Sequence, residues 1–270
     1  MRLRWLKIPL EAYNQARPMN SFLPKILRYE SVSSTNNEVA QLASRGAEEG
    51  TAIVADEQTA GRGRLQRTWT SPKGAGLYFS ILLRPKISQD RWPLITFMAA
   101  LAVSDALQEA CELTTEIKWP NDLLAGERKI CGILAEVIET GDGRAIVLGI
   151  GINLTSEAHP KELVGRAVSV AEIAPRSVER DEVLEALLRA LTRRYASLHE
   201  PDGASFIIEE WMSRSSYAEG KLVRVTNGDE ILTGITKGLE KDGGLLLQIE
   251  GGEIKTIRAG DVVQVRAETE

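Results

Sequence analysis

The chain has 270 residues, 43% of them hydrophobic and 26% charged, with a formal net charge of −5. That balance fits a soluble globular protein with a sizeable core and excludes a disordered or low-complexity chain. A negative total charge repels polyanions, so a general nucleic-acid-binding role is disfavoured and any anion site has to come from a local basic patch.

No apolar run approaches the roughly 18 residues of a membrane span, and Lys7, Pro9 and Glu11 interrupt the one stretch that could pass for a signal sequence. The two cysteines, Cys111 and Cys131, have no CxxC spacing and no histidine cluster nearby. Buried thiols in a reducing, cytoplasmic protein are expected, with no structural zinc site and no membrane partner.

Residues 1–24 carry apolar anchors (Trp5, Leu6, Ile8, Leu10) among Pro9, Pro18 and Pro24 without a sustained period, and read as an arm laid on the body of the fold. A first strand is expected over residues 25–31. Thr35 with Glu38 three residues on has the form of a capping box, Val39, Ala40, Leu42 and Ala43 give a helical face, and Gly46 a stop. A cap worth about 1 kcal/mol explains these residues without a ligand. A helix N-terminus also presents free N–H groups, so Ser34, Thr35 and Asn36 equally suit a small polar head group.

The apolar run 51–55 has the look of a buried strand and leads into Glu57-Gln58-Thr59-Ala60-Gly61-Arg62-Gly63-Arg64-Leu65-Gln66-Arg67-Thr68-Trp69. Glycine lets a backbone approach a ligand closely, and arginine offers a planar fork of donors that keeps its charge. Trp69 at the exit adds a face on which a flat ring can stack, which favours a nucleotide over bare phosphate. By itself the stretch could equally be a solvated basic loop.

Residues 76–83 read as a strand and 91–110 as a strongly apolar core helix, for which a membrane or partner role is the lesser reading. Residues 115–122 form a strand ending in a turn. The Ala125-Gly126-Glu127 and Gly141-Asp142-Gly143 breaks mark hairpins leading to residues 145–153. Strands joined by short turns imply an α+β fold, mainly an antiparallel sheet with helices on one face. A long amphipathic helix is expected over residues 181–198, and a shorter one carries Phe206, Ile207 and Trp211. From Lys221 short strands punctuated by glycine turns suggest a small barrel. The chain thus divides into an arm (1–24), a main domain (25–218) and a C-terminal barrel (219–270).

Lys118-Trp119-Pro120-Asn121-Asp122 gathers a cation, an amide and a carboxylate at a strand end, and Lys129 follows on the paired strand. Gly149-Ile150-Gly151-Ile152-Asn153 ends a strand with two glycines and an amide, which lets a flat ligand pass near the backbone while Asn153 reads a base edge. These motifs, with Glu57 to Arg64 and Lys129-Ile130-Cys131-Gly132-Ile133-Leu134-Ala135-Glu136, resemble in order and spacing those of the biotin protein ligases. The resemblance covers residues 25–266.

The resemblance implies a catalytic domain like that of the class II aminoacyl-tRNA synthetases, followed by an SH3-like barrel. It implies that biotin and ATP, with Mg²⁺, give biotinyl-5′-AMP, and that the adenylate then biotinylates one lysine of the biotin carboxyl carrier domain of a carboxylase. By the same resemblance Ser34, Thr35, Asn36, Gln58, Gly61 and Arg62 surround biotin's ureido head, and Gly132 and Leu134 line its pocket wall. Arg64 and Arg67 belong to a loop that closes over the adenylate, Trp69 and Asn153 address adenine, and Asn121 lies near phosphate and metal. Arg62, Lys118 and Lys129 serve catalysis, Lys129 holding the carboxylate, and Asp122 receives a proton from the incoming lysine.

Leu65 and Gln66 stand where many members have a basic residue and a glycine. The 24 residues before the first strand are too few for the winged helix-turn-helix of the DNA-binding members, so the monofunctional type with no operator binding is expected; a homodimer is compatible. The competing readings are a lipoate-type ligase and a non-catalytic biotin or nucleotide sensor.

Overall fold

A computed structural model describes residues 4–5, 22, 24–227 and 230–264. The arm expected over residues 1–24 lies mostly outside the described residues. Within it, Arg4–Trp5 form a short strand, β1, and Phe22 is buried edge-on against the Tyr195 ring, centroids 5.3 Å apart.

The larger sheet has eight strands in the order β1-β2-β3-β4-β8-β7-β6-β5. They are β2 (Lys25–Tyr29), β3 (Thr51–Ala55), β4 (Gly76–Leu83), β5 (Glu116–Lys118), β6 (Asp122–Ala125), β7 (Arg128–Thr140) and β8 (Gly143–Asn153). Every pairing is antiparallel except β2 with β3. That pair is parallel because the ten-residue helix α1 (Thr35–Ser44) lies between the two strands as a crossover. At the β6–β7 hairpin Gly126 and Glu127 both take positive φ, 56° and 64°, the geometry a two-residue turn requires.

Side-chain alternation assigns the two faces of the sheet. Ala52, Val54, Leu77, Phe79, Ile81 and Leu83 face the main core, while Ile53, Leu82, Ala145 and Val147 face Val39 and Ala43 of α1. Helices therefore cover both faces, not one as expected from sequence, and a strand such as β4, buried at every position, loses its polar alternation for that reason. On the main face lies α2 (Leu94–Cys111), flanked by α3 (Arg180–Leu198) and α4 (Gly203–Ser213). Phe97 of α2 stacks on Trp211 of α4, centroids 4.9 Å apart. Against the expectation that no apolar run approaches the length of a membrane span, α2 is by length and composition apolar enough to cross one; 78% of it is buried inside the protein, which accounts for its composition. It starts three residues later than the sequence suggests because Pro93 occupies the position before its first turn, and it ends at Glu112, φ 57°.

A five-stranded antiparallel sheet follows, in the order β12-β11-β10-β9-β13. Its strands are β9 (Glu219–Asn227), β10 (Glu230–Leu239), β11 (Leu245–Ile249), β12 (Ile254–Ile257) and β13 (Asp261–Gln264). Val223, Val225, Leu245, Leu247 and Val262 join the main core. The fold is α+β, an antiparallel-rich sheet with helices and a small C-terminal β module.

Candidate active site

The N-terminus of α1 is not closed by its own capping box. Ser34 is the N-cap and makes no side-chain cap hydrogen bond. Instead the Thr35 N–H and hydroxyl both donate to Gln58 Oε1, at 2.8 and 3.0 Å. Gln58 Nε2 donates to Ser71 Oγ at 2.8 Å, so the helix is capped from the loop after β3. Ser80 of β4 bridges Thr35 Oγ1 (2.7 Å) and Asn36 Oδ1 (2.6 Å). The Asn36 amide donates to Glu136 Oε2 at 2.7 Å, and Arg62 pairs with the same carboxylate. Ser34, Thr35 and Asn36 are nearly fully buried yet polar. Thr35, Asn36, Gln58 and Ser80 form a hydroxyl–amide network, with Ser34 beside it, at one end of a cleft of about 520 Å³, in the size range of small-molecule sites.

The other end of the cleft is cationic. Lys129 of β7 places Nζ 2.6 Å from Asp122 Oδ1 and 5.2 Å from the centre of the Trp69 ring. Asn121 is knitted to β7 by mutual bonds with Ile133 (Nδ2 to the carbonyl, 2.8 Å; carbonyl from the N–H, 3.0 Å). Its Oδ1 then accepts from Arg64 Nη1 at 3.1 Å. Arg64 also reaches the Gly260 carbonyl at 3.4 Å, and Arg67 pairs with Asp261. The arginine loop is thus held against the small C-terminal sheet. Burial pulls the Arg64 guanidinium below its ordinary pKa, opposed by Asp261 and Asp122. Along and beside the cleft, four cations (Arg62, Arg64, Arg67, Lys129) face three carboxylates (Glu136, Asp122, Asp261), a local balance of +1 in a chain of −5. Anionic groups entering the cleft meet net positive charge.

Between the ends lies Trp69. Gly132 and Gly151 are cross-strand partners on β7 and β8, and the indole lies directly over both. A Cβ on Gly132 would stand 3.0 Å from Trp69 Cζ3, and one on Gly151 2.5 Å from Trp69 Nε1. A Cβ on Gly149 would overlap Asn36 Oδ1. The glycines of β8 are therefore explained by what lies on them. Behind Trp69 is a second, apolar-walled cavity of about 170 Å³, bordered by Lys129, Asn153, His159 and Leu163.

The structure brings Ser34, Thr35, Asn36, Gln58 and Arg62 to one end of the cleft and Arg64, Arg67, Asn121, Asp122 and Lys129 to the other, with Trp69, Gly132 and Leu134 along it. Three sequence candidates lie elsewhere. Gly61 is buried behind Trp69 and Ser71 and does not line the cleft. Lys118, opposite Asp122 in register, sits 5.5 Å from the Tyr217 ring centre and off the cleft wall. Burial pulls its ammonium below its ordinary pKa, with Asp122 opposing and Lys129 reinforcing. Asn153 borders the second cavity, but its amide nitrogen is committed to the carbonyls of Val168 (3.1 Å) and Lys129 (3.4 Å). The sequence motifs assign no role to Ser80, Glu136 or Asp261; each is a common polar residue whose partner lies far away in the chain.

Comparison with known proteins gives a consistent result. The Biotin/lipoate A/B protein ligase family matches residues 29–153, and the Biotin protein ligase C terminal domain matches residues 220–264. The bifunctional ligase/repressor BirA of Bacillus subtilis is 36% identical over 244 residues, 88% of this chain and 73% of that protein. A biotin–[acetyl-CoA-carboxylase] ligase of Paracoccus denitrificans is 35% identical over 237 residues, 85% of this chain and 96% of that one. Among solved structures, the biotin protein ligase of Aquifex aeolicus in complex with biotin and ATP superposes with a TM-score of 0.78 at 34% identity, covering 91% of this chain and 100% of that one.

Proposed function

The chain belongs to the biotin protein ligase family, and on that premise we propose that it activates biotin with ATP and transfers it to a lysine of a carrier domain. Its relatives include biotin–[acetyl-CoA-carboxylase] ligases, and the finer activity proposed for this chain is that of a biotin–[biotin carboxyl-carrier protein] ligase. The observation that carries this reading is the joining, in one cleft, of a buried hydroxyl–amide network and a cationic end. The network offers donors and acceptors of the kind a ureido ring needs, and the cations suit a carboxylate and phosphates.

In the first step the biotin carboxylate attacks the α-phosphorus of ATP, and the bond to pyrophosphate breaks. Two anions must meet, so the reaction needs their charges offset and their atoms held in line. Lys129 takes the carboxylate side and Arg64 and Arg67 the phosphates, with Lys118 contributing field from behind Asp122 and Arg62 closing the ureido end through Glu136. Gln58, Ser34, Thr35 and Asn36 hold the ureido head, and Gly132 and Leu134 form its wall. In the second step the carrier lysine attacks the acyl carbon, AMP leaves, and Asp122 takes the ammonium proton. Adenine belongs in the cavity beside Trp69 and Asn153. Because the enzyme uses no covalent nucleophile, the deeply buried Cys131 plays no part in it; burial holds its thiol far above the ordinary range.

Magnesium would arrive with the nucleotide. Among the described residues no group of three or more His, Cys, Asp or Glu is placed to hold an ion. An ion bound mainly by phosphate and water needs only one or two protein oxygens, and the Asp122 carboxylate and Asn121 amide oxygen are of the right chemistry. There the ion would neutralise phosphate charge. The proposed location is the cytoplasm, where the two free, buried cysteines stay reduced.

The test is exchange of labelled pyrophosphate into ATP with biotin, lipoate, octanoate or no acid. Exchange dependent on biotin is expected. Exchange with lipoate alone would move the chain to the lipoate branch, and no exchange despite biotin binding would remove catalysis.

A further inference from the structure

Alternation along β7 sends residues 132, 134 and 136 to the cleft side of the sheet, while Cys131, Ile133 and Ala135 pack into the main core. Gly132 and Leu134 line the cleft, and Ile138, next in the row after Glu136, packs against the cluster under α1. Glu136 interrupts this apolar row with a charge. It stands behind Asn36 and Arg62, off the cleft wall, and its Oε2 accepts from the Asn36 amide at 2.7 Å and pairs with Arg62. Two residues of the cleft wall, one from α1 and one from the arginine loop, thus meet on a single carboxylate oxygen.

That carboxylate settles which way the Asn36 amide faces. A carboxylate and a carbonyl only accept hydrogen bonds, so the side of the amide turned to Glu136 Oε2 and to the Leu134 carbonyl (3.4 Å) is its nitrogen. The oxygen is turned to Ser80, whose hydroxyl lies 2.6 Å away, in the space that Gly149 leaves by having no side chain. Asn36 is 5% exposed, so without Glu136 its amide nitrogen would keep one long bond in a site that water scarcely reaches. Paired with Arg62, Glu136 also leaves this end of the cleft without net charge, which suits a neutral head group and leaves the carboxylate of an acid to the cationic end. We propose that Glu136 is a positioning residue for biotin: from behind the cleft wall it fixes the Asn36 amide and Arg62 around the ureido head, and so selects an acid with a neutral, hydrogen-bonding head group. This role rests on the biotin-activating reading above and adds to it the residue that sets the head-group end.

The test is biotin-dependent pyrophosphate exchange by the full chain, with KM read separately for biotin and for ATP. Glu136→Leu should raise the KM for biotin about tenfold or more through the loss of both contacts, while kcat and the KM for ATP stay within about threefold. Glu136→Gln keeps an acceptor for Asn36 and should hold the biotin KM within about threefold of wild type. Asn36→Asp sets two carboxylates face to face and should lose biotin affinity. Asn36→Asp combined with Glu136→Gln exchanges donor and acceptor, and about threefold or more of that loss should return. A Glu136→Leu enzyme with the wild-type biotin KM overturns the inference, as does one in which the KM values for biotin and ATP rise together, the mark of a general structural defect. Should Glu136→Leu fail to fold, a double variant no better than Asn36→Asp alone overturns it equally. Absence of biotin-dependent exchange in the wild type refutes instead the functional reading on which this role stands.

Discussion

Gly151→Ala puts a single methyl group under the Trp69 ring. The added Cβ would lie 2.5 Å from Nε1, 2.7 Å from Cε2 and 3.0 Å from Cζ2, whereas ordinary contact between such atoms is about 3.5–4.0 Å. The indole must lift by about 1 Å, because β8 is fixed by pairing on both sides, to β4 and β7. Overpacking of this kind costs about 1–3 kcal/mol. If that cost falls on the nucleotide-bound state, ATP affinity drops about 5- to 150-fold. Two residues earlier on the same strand, Gly149→Ala drives its methyl into Asn36 instead, whose amide is bonded to Ser80 and Glu136. That variant should lose biotin affinity, about tenfold or more from one or two broken hydrogen bonds. Calorimetric titration of each variant with biotin and with ATP reads both effects. The crossed pattern is expected; Gly151→Ala with wild-type ATP affinity and unchanged tryptophan fluorescence would refute the placement of Trp69.

Lys129→Ala should leave ATP binding within a few fold and slow adenylate formation by about two orders of magnitude, the scale for one pre-organised charge; single-turnover kinetics measure it, and an unchanged rate removes Lys129 from the site. Leu65 and Gln66 both have left-handed backbone, φ 52° and 59°, at about 1 kcal/mol or more each for residues with a Cβ. Gln66→Gly should therefore raise the melting temperature by about 2–4 °C, and a fall would contradict the strain. Burial raises the Cys111 thiol to about 11, against the opposing charge of Arg176, and pushes the Cys131, Tyr78 and Tyr195 protons higher still. The folded state holds these protons more tightly than the unfolded chain, so their contribution is complete below about pH 8.5 and lost as pH rises toward about 11. The urea midpoint should decline across that window, and a flat profile would count against the burial.

Much of the site is legible in sequence because its residues come in contiguous motifs. Gly61 to Arg67, Lys118 to Asp122 and Gly149 to Asn153 each lie on one turn or strand end, so order and spacing alone point to an anion site beside an aromatic face. What joins the motifs is not legible. Thr35 and Glu38 have the spacing of a capping box, yet the Thr35 N–H is taken by Gln58, 23 residues away, a competition that local propensity does not register. Glu136 and Asp261 matter through Arg62 and Arg67, contacts made by strand pairing and by the docking of the C-terminal sheet. The parallel β2–β3 pair and the helices on both faces were missed for a related reason: short turns dominate the chain, and one crossover helix changes both the direction of a strand and the face it covers.

The central claim is that one cleft both makes and spends an acyl-adenylate. The direct measurement is to form the adenylate from labelled biotin and ATP, remove free reactants, and add a biotin carboxyl carrier domain or the same domain with its acceptor lysine changed to arginine. Label moving to the lysine-bearing domain alone, with release of AMP and no further ATP, is the expected result. A stable adenylate that transfers to neither domain, or label reaching both equally, would contradict the account.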